Sequence, residues 1–90
     1  AILSRYGGEE FCVIMQKATI DEGEAMAEEI RAGIQTCLAE PYKVTASLGV
    51  SSSIFNAPNI GAQIEQADQG LYAAKRGGRN TFRTWSQQLE

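Results

Sequence analysis

The sequence predicts an α/β unit with the element order β-β-α-β-α-β, and three observations lead there. The apolar pattern alternates between strand-like runs and helical spacing along the chain. Thr19 and Glu22 have the spacing of a helix-capping box. Two glycine pairs, Gly7-Gly8 and Gly77-Gly78, stand where one pattern gives way to the next.

Residues 1–16 read as a hairpin: two strands, 1–5 and 10–16, joined at Gly7-Gly8, where glycine tolerates the positive φ of a tight loop. The nearly unbroken Phe11-Cys12-Val13-Ile14-Met15 suggests a central strand covered on both faces. From the Thr19/Glu22 cap, Met26, Ile30, Ile34 and Leu38 recur at helical spacing, predicting a helix over about 20–39 that Pro41 stops. At Val44 the period becomes two, with Val44, Ala46, Leu48 and Val50 on one side, so a strand is expected over about 44–51. Gly49 within it signals a bulge or a close backbone approach. A loop around Pro58 precedes a second amphipathic helix, about 60–76, traced by Ile60, Ile64, Ala67, Leu71 and Ala74 and ended by Gly77-Gly78. A last strand follows at about 80–85, and Leu89-Glu90 reads as a tag remnant.

Ninety residues with 43% hydrophobic and 21% charged content describe one soluble domain or part of one, small enough that its core is marginal alone. No run has the length of a membrane span or the pattern of a signal peptide. Cys12 and Cys37 lie in apolar patterns without metal-ligand spacing, so both are expected reduced and buried, and the absence of histidine disfavours imidazole catalysis and the common zinc sites. The net charge is −3, yet Lys75, Arg76, Arg79 and Arg83 fall close together, while Asp21, Glu22, Glu24, Glu28 and Glu29 form one solvated helical face. General nucleic-acid binding is therefore not expected, whereas a local grip on a polyphosphate is open.

The chemistry concentrates in Arg5-Tyr6-Gly7-Gly8-Glu9-Glu10-Phe11. Missing Cβ atoms at Gly7 and Gly8 let phosphates approach backbone amides, and Glu9 and Glu10 offer the hard oxygen ligands that Mg²⁺ prefers. Neighbouring strand residues point to opposite faces, so the two glutamates are expected to differ in role. By itself the same run also suits an ordinary charged hairpin turn. Near the other end, Lys75 at a helix terminus and Arg79 just past the glycine break could converge on one polyphosphate; alone, they also suit a helix dipole.

The string Gly7-Gly8-Glu9-Glu10-Phe11 resembles the signature of the GGDEF domain of bacterial diguanylate cyclases. Val44-Thr45-Ala46-Ser47-Leu48-Gly49-Val50 is similar to a strand of that family. The run from Ala67-Asp68 through Leu71-Tyr72, Ala74-Lys75 and Gly78-Arg79-Asn80 resembles its closing helix and turn, with Gly70 where the family pattern has alanine. The resemblance implies a ferredoxin-like, nucleotidyl-cyclase-type palm whose helices pack on a mainly antiparallel sheet. It further implies condensation of two GTP into cyclic di-GMP by two domains meeting as a homodimer, with Mg²⁺ or Mn²⁺ as cofactor. On the matching positions, Glu9 would ligate the metal and help activate the 3′-hydroxyl, and Glu10 would assist metal binding or hold the hairpin. Gly7 and Gly8 would make room for the phosphates that Lys75 and Arg79 contact. Asp68 and Tyr72 are expected to be structural, through a local hydrogen bond and core packing.

The resemblance covers about the C-terminal half of the family domain. The first metal-binding Asp and the guanine-reading residues would lie in the missing N-terminal half, so the isolated chain is expected to be inactive and to expose a strand edge where that half belongs. An upstream sensory domain and a cytoplasmic location, including within a membrane-tethered sensor, are implied. Ala1 stands where the family's Arg-x-x-Asp product site has Asp; if Ala1 is native rather than a cloning remnant, the usual charge pair cannot form and feedback inhibition is not expected. Two alternatives accompany this reading: a degenerate GGDEF domain that senses GTP or binds a protein, and a ferredoxin-like regulatory domain that binds a metabolite.

Overall fold

The computed structural model describes residues 2–5, 11–15, 18–38, 40–41 and 44–86. Strands β1 (Ile2–Arg5) and β2 (Phe11–Ile14) run antiparallel, from Ile2 opposite Ile14 to Arg5 opposite Phe11. The Gly7-Gly8 turn, Ala1 and residues 89–90 lie outside what is described, as do the two-sided burial expected of 11–15 and the burial of Cys12.

Helix α1 (Ile20–Thr36) starts on the expected capping box. The Glu22 amide donates to Thr19 Oγ1 at 3.1 Å and the Thr19 amide to Glu22 Oε1 at 2.8 Å, which satisfies two donors that the first turn leaves open. The helix stops short of 39. Thr36 Oγ1 turns back on the Ala32 carbonyl at 3.0 Å and the Cys37 amide tightens onto Ile34 O at 3.3 Å. Residues ahead of a proline avoid helical backbone, so the chain has left the helix before Glu40 and Pro41. Two expectations fail in consequence: Leu38 sits past the helix, 46% exposed, and Cys37 is an exposed free thiol rather than a buried one.

Residues 48–84 form a β-α-β unit. Strand β3 (Leu48–Val50) pairs in parallel with β4 (Phe82–Thr84), and the crossover between them is helix α2 (Ile60–Arg76), preceded by a 3₁₀ turn at Ser53–Phe55. A long helical crossover is what returns a strand in the parallel sense. The ladder is closed at both ends, by the Leu48 amide on Thr81 O at 2.9 Å and the Trp85 amide on Val50 O at 2.8 Å. Both strands are shorter than their alternating patterns, because alternation predicts extended backbone while pairing also needs a partner. Asn59 caps α2, its Oδ1 accepting the Ala62 amide at 2.8 Å.

Small residues set how closely the layers meet. A Cβ on Gly49 would collide with the Ala67 carbonyl oxygen and the Leu71 amide nitrogen, and one on Gly70 would stand 2.6 Å from Arg83 O and 3.4 Å from Gly49 Cα. Helix α2 thus rests on β3 and β4 at backbone distance, which is the close approach that Gly49 signals. The buried apolar residues among those described are Ala27, Ala73 and Ala74, whereas Ile60, expected on the inner face, is 57% exposed. Around them, Trp85 meets Phe55 edge to face at 5.3 Å and donates its indole N–H to Gln69 Oε1 at 2.7 Å.

The single, mainly antiparallel sheet that was expected is not seen among the described residues. The described strands make two separate pairs, β1-β2 antiparallel and β3-β4 parallel. No helix among the described residues is long and apolar enough to cross a membrane.

Candidate functional site

The acidic half of the expected site, Gly7, Gly8, Glu9 and Glu10, lies outside the described residues. Its flanks are described: Arg5 and Phe11 face each other as the last pair of the β1-β2 ladder. Two adjacent carboxylates are a donor set suited to a hard divalent cation. Among the described residues, no group of three acidic, histidine or cysteine side chains is placed to hold a metal.

The basic half is described, and it gathers at the C-terminal end of α2. Lys75 and Arg76 occupy its last turn. Gly77 follows as the cap, its amide bonded to Ala73 O at 2.9 Å, and the Arg79 amide reaches back to Ala74 O at 3.0 Å across Gly78, which has φ 115°. That long return bond with a left-handed glycine before it belongs to the Schellman type of helix ending. The left-handed path then continues through two residues that carry a Cβ, Arg79 at φ 65° and Asn80 at φ 50°. Arg83 returns from β4 to the same end, its Nη1 3.9 Å from where a Cβ on Gly77 would stand.

The four cations do not share one environment. Arg76 lies over the ring of Tyr72, 5.6 Å from its centroid, and that ring is 62% exposed, so Tyr72 is a surface residue rather than part of the core. Lys75 and Arg79 are exposed, and among the described residues neither side chain has an ion pair or hydrogen bond. Asp68 is also exposed, and the local hydrogen bond expected of it does not occur among the described residues.

Arg31 is the residue that sequence reasoning missed. Its Nε and Nη2 grip the Glu28 carboxylate at 2.8 and 2.5 Å, while Nη1 donates to Gln35 Oε1 at 2.8 Å and to Asn80 Oδ1 at 3.0 Å. The hydrogen bond from Arg31 holds the Glu28 carboxyl below the ordinary glutamate range, and the same bond raises Arg31. The Glu28 spacing was a legible signal for the local pair. Asn80 is 49 residues away, and only tertiary structure brings it near. Glu24, expected to be solvated, is half-buried and accepts the hydroxyl of Thr84, a second tie from α1 to the region after α2.

The Gly7-Gly8-Glu9-Glu10 string and the basic end of α2 belong to a chain that folds as a small α/β unit. Residues 1–81 match the family described as Diguanylate cyclase, GGDEF domain, and the chain belongs to that family. It is similar to Diguanylate cyclase DgcP of Pseudomonas aeruginosa, 39% identical over 83 residues, which cover 87% of this chain and 12% of that protein. Diguanylate cyclase A of Treponema denticola is 37% identical over 81 residues, 86% of this chain and 22% of its own length. Diguanylate cyclase DosC of Escherichia coli K12 is 35% identical over 89 residues, 94% of this chain and 19% of that protein. The chain thus spans a fifth or less of most of these relatives. No solved structure matches it significantly.

Proposed function

We infer that the protein carrying this chain is a diguanylate cyclase that condenses two GTP into cyclic di-GMP and two pyrophosphate. The observation that carries this reading is the intact Gly-Gly-Glu-Glu-Phe string, in a GGDEF family member whose Lys75 and Arg79 stand exposed at one helix end. In the reaction, each 3′-hydroxyl gives up its proton to solvent as its oxygen bonds to the α-phosphorus of the other GTP, the bond from that phosphorus to the β-phosphate oxygen breaks, and pyrophosphate leaves with the electron pair. The developing charge lies on phosphate oxygens, which is where fixed cations act most strongly.

Each part of the chain has a role in that scheme. Glu9 and Glu10 would hold Mg²⁺ or Mn²⁺, and the bound metal would lower the pKa of the attacking hydroxyl and stabilise the leaving oxygen. Gly7 and Gly8 let the phosphates reach backbone amides. Lys75 contributes a compact charge and Arg79 a planar fork to the phosphate chain. The two nucleotides are brought together by two copies of the domain, and base recognition belongs to the N-terminal half of the domain outside this chain. An upstream domain would supply the signal.

The test is to incubate the full-length protein with GTP and Mg²⁺ and to follow cyclic di-GMP, alongside a Glu9→Ala variant. Product that disappears in the variant supports the cyclase. A folded, dimeric protein that makes no product would instead identify a degenerate nucleotide-binding or interaction module, and a protein with no metal-dependent GTP affinity would leave only the metabolite-binding alternative.

A further inference from the structure

The backbone that carries Arg79 is one that side-chain-bearing residues avoid. Arg79 and Asn80 are consecutive non-glycine residues in the left-handed region, at φ 65° and 50°, and Gly78 before them has φ 115°. Such a path persists only where its surroundings hold it. On the helix side it is held by the Arg79 amide on Ala74 O. Beyond the turn, Asn80 is held twice: its amide donates to Ser47 Oγ at 3.2 Å, and its side-chain oxygen accepts Arg31 Nη1 at 3.0 Å.

Arg31 is itself fixed before it reaches Asn80. Further donors are taken by both oxygens of Glu28 and by Gln35, one turn on either side in α1, and its side chain is only 18% exposed. A lysine at this position has neither the planar fork nor the number of donors to repeat the arrangement. The guanidinium is therefore a rigid peg on α1, inserted against the residue that follows Arg79. Since Ser47 also bonds Asn80, the turn is referenced to both α1 and the β3 edge.

We propose that Arg31 is a positioning residue for nucleotide binding: through Asn80 it holds the left-handed turn that presents the Arg79 guanidinium to the phosphates. This rests on the reading of Arg79 as a phosphate ligand. Arg31 touches no substrate. Its contribution is to keep one exposed arginine from sampling alternatives before the nucleotide arrives, which is pre-organisation of a binding group by a second layer of hydrogen bonds.

The experiment measures the affinity of the full-length protein for 3′-deoxy-GTP with Mg²⁺, since this analogue keeps the phosphates and lacks the attacking hydroxyl. Arg31→Ala is expected to weaken binding roughly 3- to 10-fold, the span of one lost charge-assisted hydrogen bond acting indirectly. Asn80→Gly keeps left-handed freedom but deletes the acceptor and is expected to weaken binding comparably, whereas Asn80→Asp keeps the acceptor and binds within about twofold of the parent. Adding Arg31→Ala to Arg79→Ala is expected to cause no further loss, because nothing remains to be positioned. A second loss of equal size in that background would mark a merely structural role and overturn the proposal. Arg31→Ala and Asn80→Gly proteins that melt normally and bind like the parent, while Arg79→Ala binds weakly, would overturn the positioning role alone. Unchanged binding by Arg79→Ala would overturn the phosphate reading and this inference with it. Should Arg31→Ala fail to fold, the contrast between Asn80→Gly and Asn80→Asp decides.

Discussion

Gly49 and Thr19 show how much a single position can commit. The space for a side chain at Gly49 is already filled by the backbone of α2 at Ala67 and Leu71. We expect Gly49→Ala to force helix and sheet apart and to cost about 1–3 kcal/mol, with the upper end favoured because the obstacle is backbone, as read by urea denaturation of the full-length protein. Its glycine in an alternating strand was a legible clue, while Gly70, in a helix, carried no comparable signal: its reason is a carbonyl on β4. Thr19 was legible completely, since a capping box is local and needs only its own four residues. Thr19→Ala is expected to cost about 1 kcal/mol in the same measurement. Tyr72 teaches the converse, because its place on a helix suggested core and its ring instead lies on the surface beside Arg76.

At the scale of elements, both helices have starts that the sequence marks and ends decided in different ways. Asn59 and Gly77 bound α2 by local hydrogen bonding, so its limits follow the pattern of the chain. Helix α1 ends earlier than its apolar spacing suggests, because spacing reports which face is apolar and does not report where the backbone stops. The Arg31 fork gives α1 a pH dependence with a defined sign. Glu28 has its folded pKa depressed, so the stabilisation is present above the ordinary glutamate value and is lost as pH falls through the depressed one. We expect the tie between α1 and Asn80 to loosen as pH falls through the depressed Glu28 value, below the ordinary glutamate range, seen as faster amide exchange at Arg79 and Asn80, and Glu28→Gln to remove that pH response. Glu28 is exposed, so the response should also weaken with added salt.

For the whole molecule, the separation of the strands into two pairs has a direct consequence. Each pair has edges whose backbone groups are open to another strand among the described residues, and edges of this kind invite association. We expect the 90-residue chain by itself to self-associate in light scattering as concentration rises, and to make no cyclic di-GMP where the full-length protein does. Supplying the N-terminal half of the domain as a separate polypeptide should suppress the association and raise GTP affinity. A monomeric chain with measurable turnover would show that these residues suffice, contrary to both expectations.

By itself, the sequence determined the family, the number and order of the elements, the capping box that starts α1, the glycine end of α2, and the presence of one acidic and one basic segment. These are properties of neighbours along the chain: periodicity, capping hydrogen bonds and short strings. Tertiary structure alone decided that α2 and the parallel pair meet backbone to backbone at Gly49 and Gly70, and that Arg83 folds back to the helix end occupied by Lys75. It also decided that Arg31 reaches across 49 positions to steady Asn80. The physical reason is the same in each case. A hydrogen bond or a close approach between distant residues depends on where two elements come to rest, and no spacing within either element encodes that separation.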